Sequence, residues 1–240
     1  MSGGESLPLF VLPMVVLPGE IQQLRIFEPR YRQMLDDCLL DEKNFGLVLD
    51  DNSTLYNGWN GPRKIGCEVE IIHHETIGSN HFVEILGKRK FEIQEILSPA
   101  LPPFSDELMQ DLVPEEGIYP DLETILTKIP EESEYHKLYL AATVEYIEQK
   151  LVVEDEKLEE LKSLLKIIIS RIGSNLQIDL EIIDEWVESR IALIFENQDD
   201  LLYNIAAMTV AQLENKYQIL IAEDSDEIYD LIMENLVKIA

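Results

Sequence analysis

The period of the hydrophobic pattern changes once along the chain, and the change divides it in two. Over residues 7–100 apolar positions fall in short runs or alternate with polar ones, the two-residue period of β-strands. Residues 7–10 and 15–17 are apolar runs punctuated by Pro8, Pro13 and Pro18. Proline cannot donate to a ladder, so both read as edge strands. Pro18-Gly19-Glu20 is a turn, and a strand over 21–27 follows. Pro29 then suits a first helical position, where a missing N–H costs nothing. Tyr31, Met34, Leu35, Cys38 and Leu39 recur at helical spacing and predict an amphipathic helix over 29–40.

Residues 45–49 form a short apolar strand, and 50–62 hold Asn57, Gly58, Asn60 and Gly61, which is turn chemistry. Residues 65–73 alternate, with Ile65, Cys67, Val69 and Ile71 on one face and Glu68 and Glu70 on the other. Two further alternating strands, 82–86 and 91–96, flank Gly87-Lys88-Arg89-Lys90, read as a hairpin tip. From about 98 to 136 prolines recur among acidic residues, which reads as an insertion with at most short helices. Residues 138–147 fit strand or helix equally well by periodicity.

After residue 150 the period is helical. Leu158, Leu161, Leu165, Ile168 and Ile172 make one apolar stripe ending near Gly173, and Ile182, Ile183, Trp186, Val187 and Ile191 make another. Thr209 with Gln212 fits a capping box opening a helix over 210–221, and Asp224 with Glu227 fits an Asp cap for one over 227–239. The expected organisation is α+β. A β-rich part over 1–150, carrying the insertion, precedes a helical bundle over 151–240.

Charge narrows the partners. Against 47 acidic residues stand 19 basic ones, a balance of −28, of which only −6 falls in the first hundred residues. Such a field repels phosphate, so neither nucleic acid nor an anionic membrane surface is an expected partner. Two cysteines, Cys38 and Cys67, sit in apolar contexts, which suits a reducing cytoplasm and no disulfide framework. The first residues lack a basic and hydrophobic leader, and no uncharged run approaches the ~20 residues of a membrane span.

Six ordered segments carry a family likeness. They are Leu7-Pro8-Leu9-Phe10, Val16-Leu17-Pro18-Gly19, Leu24-Arg25-Ile26-Phe27-Glu28-Pro29-Arg30-Tyr31, Phe45-Gly46-Leu47-Val48, Ile65-Gly66-Cys67-Glu68-Val69-Glu70-Ile71 and Gly87-Lys88-Arg89-Lys90-Phe91. In this order they resemble the Lon substrate-binding domain family. Residues 139–148 are similar to the family's next strand, which favours β there, and Asp200-Leu201-Leu202-Tyr203-Asn204-Ile205-Ala206-Ala207 looks like the segment closing its helical bundle. The resemblance implies a PUA-like β pseudo-barrel with one helix, followed by a helical bundle. It also implies recruitment of unfolded or tagged polypeptides.

The catalytic machinery of a full Lon protease has no counterpart in these residues. No Gly-x-x-x-x-Gly-Lys-[Ser/Thr] loop occurs to cradle phosphates, and no Gly-rich segment presents a serine beside a lysine. The expectation is a non-catalytic polypeptide-binding protein without cofactor or metal. An adaptor docking clients to a separate protease or ligase is one alternative, and a PUA-like RNA-binding module is another. Self-association is left open.

The expected polypeptide contacts are Leu9, Phe10, Val11 and Met14 in the proline-broken apolar segment, with Arg30 and Tyr31 at the strand-to-helix junction. They would form an apolar groove where the β-rich part meets the helical bundle, or a free sheet edge that adds a client strand. Arg25 and Glu28 are expected to fix the junction locally. Cys67, His73, His74 and His81 are the one group with metal-ligand chemistry, but their spacing matches no zinc pattern. Asp36-Asp37 and Asp50-Asp51 have no nucleophile beside them and are given no catalytic role.

Overall fold

The computed structural model describes residues 6–78, 80–112, 119–133, 135–175, 180–196 and 200–239. Side chains are described throughout these except at 172–175, 180–184, 190, 193, 196 and 239. Two compact units are present: residues 1–16 with 21–147, and residues 17–20 with 148–240.

The first unit holds β1 (Leu7–Leu12), β2 (Ile21–Ile26), α1 (Pro29–Asp41), β3 (Phe45–Tyr56), β4 (Trp59–Ile77), β5 (Asn80–Leu97) and β6 (Ala141–Ile147). Sheet order is β2-β5-β4-β3-β1-β6, and β5 also pairs β6. That last pairing closes five strands into a ring, with β2 added along residues 81–86 of β5. Closure pairs each of the five ring strands on both sides, β2 stays at the edge of the sheet, and bulges in β3, β4 and β5 bend the long strands around the ring.

Several sequence expectations change here. β1 is central, paired parallel to β3 and antiparallel to β6, and not an edge. Its alternating sides enter two different cores, Phe10 on one side and Leu7, Leu9 and Val11 on the other. Burial on both faces is why the segment reads as one apolar run. Residues 15–17 are buried but make no strand. The supposed loop over 50–62 is mostly ladder. Only Asn57 and Gly58 turn, at φ 47° and 80°, the left-handed pair that a two-residue hairpin requires.

Lys88-Arg89-Lys90 is no hairpin tip, because β5 runs unbroken through it. Lys88 pairs with Glu70 at 2.9 Å and Arg89 with Glu68 at 2.5 Å across the β4–β5 ladder, and Lys90 is buried. The basic patch on which an RNA-binding reading would stand is thus largely engaged within the sheet.

α1 packs Tyr31, Met34, Leu35 and Cys38 on Phe10, Phe45, Leu47, Val69 and Ile85. Tyr31 donates its hydroxyl to Val11 O at 2.7 Å, which satisfies a buried polar group at the end of β1. Between β5 and β6 lie a 3₁₀ turn (Glu107–Leu112) and the short α2 (Leu122–Leu126). These form a satellite core of Leu101, Met109, Ile125 and Leu138, so the insertion packs a small core of its own.

The second unit contains α3 (Asp155–Asn175), α4 (Leu180–Glu196), α5 (Leu201–Thr209), α6 (Leu213–Ile221) and α7 (Ser225–Ile239). Leu161, Leu165 and Ile168 bury the α3 stripe, and Val187 and Ile191 that of α4, whereas Trp186 is exposed. The side chains of Ile172, Ile182 and Ile183 lie outside the described residues. The expected Thr209 box does not form. Thr209 ends α5 and donates its hydroxyl to Ile205 O, and Gln212 at the start of α6 makes no side-chain cap. The Asp cap does form: Asp224 accepts from Glu227 N at 2.9 Å, and Glu227 accepts from Glu223 N at 2.9 Å.

Candidate functional site

The first unit contains a cleft of about 560 Å³ where four of its segments meet. The end of β1 supplies Val11, Leu12 and Pro13, and the start of α1 supplies Glu28, Pro29 and Arg30. Gly58, Trp59 and Asn60 come from the β3–β4 hairpin. The insertion contributes Leu101, Pro102, Pro103, Phe104 and Tyr119.

Local chemistry sets each wall. Glu28 precedes α1 with extended backbone and makes no side-chain cap, so its carboxylate accepts from Arg30 Nε at 3.0 Å. The Arg30 guanidinium lies 3.8 Å from the Trp59 ring centre and 4.1 Å from that of Tyr31. Stacking on two rings plus an ion pair fixes this side chain in one pose.

Trp59 follows the Asn57-Gly58 turn directly and donates its indole N–H to Leu101 O at 2.9 Å. Asn57 Nδ2 donates to Pro99 O at 2.9 Å. A Cβ on Gly58 would stand 3.0 Å from Pro103 Cδ, so glycine permits both the turn and the close approach of the insertion. Phe104 and Tyr119 contact each other with ring centres 5.6 Å apart. Desolvation raises the Tyr119 phenol pKa, the Glu28 charge adds to the rise, and Arg30 opposes it.

The sequence-expected contact residues divide. Leu9, Phe10 and Tyr31 are 0%, 3% and 2% exposed and lie in the core. Met14 is half-buried and packs against that core. Val11 and Arg30 line the cleft. Trp59, Phe104, Tyr119 and Asp50 also line it, and sequence reasoning did not select them. The available signals were the tryptophan beside an Asn-Gly turn and the aromatics among the insertion's prolines.

Arg25 bonds Asn80 Oδ1 through Nε at 3.1 Å and Nη2 at 3.0 Å, and its guanidinium lies 5.8 Å from the ring centre of Phe27 in the junction. His74 Nε2 and His81 Nδ1 are 3.2 Å apart with Thr76 Oγ1 beside both, while the Cys67 thiol bonds Glu68 O. Among the described residues no three His, Cys, Asp or Glu side chains gather as a metal site. Asp37 accepts from Lys137 and Tyr139, each at 2.8 Å, which is structural work.

The sequence model of the ATP-dependent protease La (LON) substrate-binding domain matches residues 6–238. This chain belongs to the Lon substrate-binding domain family. Among solved structures, the Lon N-terminal domain protein from Xanthomonas campestris is similar at 19% identity and TM-score 0.53, over 95% of this chain and 98% of that one. The N-terminal domain of Mycobacterium avium complex Lon protease is similar at 15% identity and TM-score 0.60, over 97% and 98%. At these identities the likeness is one of fold. A comparison with curated protein sequences gives no significant match. Among the described residues, no helix of this Lon substrate-binding domain is long and apolar enough to cross a membrane.

Proposed function

We propose that this Lon substrate-binding domain is a non-catalytic protein that holds unfolded or tagged polypeptides in the cleft of its first unit. The observation that carries the reading is the cleft itself. Trp59, Phe104 and Tyr119 join Leu12, Pro102 and Pro103 on one concave surface, which Arg30 and Glu28 also line. Aromatic and proline walls interleaved with charged and amide groups can receive side chains of an extended segment without demanding one sequence. Family membership supports a polypeptide as the ligand. The ring of strands followed by helices supports the PUA-like pseudo-barrel and bundle assignments, and two free, buried cysteines suit a reducing compartment.

The test is titration of the full chain into a labelled, reduced and alkylated polypeptide, and separately into labelled single-stranded RNA. Polypeptide binding that Phe104→Ser or Tyr119→Ser weakens at least about tenfold is the expected result, since buried aromatics dominate such contacts. Circular dichroism checks that both variants fold. Undiminished binding in both folded variants would remove the cleft from the mechanism. Binding to RNA alone, falling steeply with salt, would overturn the polypeptide reading altogether.

A further inference from the structure

We propose that the cleft selects segments carrying a lysine or arginine beside an aromatic or aliphatic residue, and discriminates against acidic ones. This rests on the polypeptide-binding reading and gives that site its ligand chemistry.

Among the described residues, Glu28, Asp50 and Arg30 are the charged side chains of the lining. Arg30 is a poor receiver for an incoming anion. Its Nε is bonded to Glu28, its guanidinium is stacked on Trp59 and Tyr31, and its side chain is 15% exposed. Arg30 and Glu28 neutralise each other, which leaves Asp50 as the remaining charge among the described residues of the wall. Phe104 and Tyr119 of the same lining stand together on the insertion side, and an aromatic face attracts a cation that reaches it. A lysine or arginine can lay its aliphatic stem along Leu12 and the Pro102-Pro103 wall while its charge reaches the carboxylate.

Long-range electrostatics act in the same sense. The chain carries −28, so a basic segment is drawn in and an acidic one repelled before contact. The same imbalance argues against a second copy as occupant, because this chain offers 47 acidic residues and only 19 basic ones. A volume of about 560 Å³ admits side chains of an extended segment, not a folded domain.

Three labelled peptides with one aromatic-aliphatic core, differing only in a central lysine, glutamine or glutamate, separate the possibilities. Each is titrated by fluorescence anisotropy into the full chain and into its Asp50→Asn variant, at about 50 and 300 mM salt. The lysine peptide is expected to bind about fivefold tighter than the glutamine one, with the glutamate peptide weakest and the spread narrower at high salt. In Asp50→Asn the preference for the lysine peptide over the glutamine one should fall towards one.

Equal affinity of all three peptides overturns the charge preference and leaves polypeptide binding standing. A preference unchanged in Asp50→Asn assigns it to the general field and overturns the role of the cleft. If no peptide binds, and the chain instead self-associates in a way that Tyr119→Ser abolishes, the occupant is a second copy and both proposals fail. If no peptide binds and no self-association occurs, both fail as well.

Discussion

Gly66→Ala should be among the most damaging single-methyl additions to the first unit. Gly66 of β4 pairs with Val48 on one side and Phe91 on the other. A Cβ there would stand 2.6 Å from Phe91 Cζ and 2.9 Å from Leu47 O, and would overlap Val48 Cγ1. The ring cannot retreat easily: Phe91 is fully buried, and a Cβ on Gly46 would also meet its Cζ, at 2.5 Å. Two glycines on neighbouring strands therefore form a floor under one phenyl ring, and the carbonyl is fixed in the ladder. Overpacking of this kind costs about 1–3 kcal/mol, against about 0.5–1 kcal/mol that alanine recovers over glycine in a strand. A net loss of about 2 kcal/mol is expected, towards the upper end because backbone and ring are both struck. The assay is a denaturant titration followed by Trp59 fluorescence in a Trp186→Phe background, which leaves the tryptophan of the first unit as sole reporter. Phe91→Leu should destabilise alone by opening a cavity, yet combined with Gly66→Ala the losses should fall short of additivity by about 1 kcal/mol. An unchanged midpoint in Gly66→Ala, or strict additivity in the pair, would refute the pinned-ring argument.

Asp37→Asn should cost about 0.5–1 kcal/mol, because it loses a half-exposed ion pair with Lys137 but keeps an acceptor for Tyr139. Burial and then Asp37 raise the Tyr139 phenol pKa, so an alkaline absorbance titration of the variant should show that tyrosine ionising at lower pH. Burial also holds His81 below its ordinary 6.5, helped by Arg32 and His74 and opposed by Asp36. The unfolded chain then takes up that proton first, so this contribution to stability is intact above the ordinary histidine range and is lost as pH falls through the depressed value. Denaturation midpoints measured from about pH 7.5 to 5 should decline, and His81→Gln should flatten the slope. Asp224→Ala removes the cap on α7 and should cost about 1 kcal/mol, read as a lower melting temperature by circular dichroism.

Elements whose pattern answers to one environment were legible in the sequence. The helix over 29–40 was found because one face of α1 meets the core and the other meets water. The strand at 141–147 was ambiguous from periodicity alone, and β6 takes its form from pairing with β1 and β5. Proline misled at β1: Pro8 is only the second residue, opposite Ala141, and Leu9 resumes bonding through Leu140 O at 2.8 Å. The triplet Lys88-Arg89-Lys90 misled because its cross-strand acids, Glu68 and Glu70, lie about twenty positions away in sequence. Register is a tertiary fact that no local window contains.

The cleft was half legible for a related reason. Arg30 could be picked out because a cation at a strand-to-helix junction is conspicuous, whereas its stacking partner Trp59 arrives from the tip of another hairpin. The insertion looked like loose chain because prolines recur in it, yet proline removes donors and leaves carbonyls that still need partners. Those partners are side chains of the neighbouring hairpin. Asn57 and Trp59 supply N–H groups to Pro99 O and Leu101 O, while Ala100 N closes on Lys137 O at 2.8 Å across the base of the insertion. Three donors anchor three successive residues, and beneath them the satellite core around Met109 and Ile125 gives the wall something to rest on. A proline cluster between two strands is therefore compatible with a fixed wall wherever a nearby turn carries side-chain donors. The Asn-Gly-Trp order of residues 57–59 places a donor on each side of the glycine that lets the two segments touch.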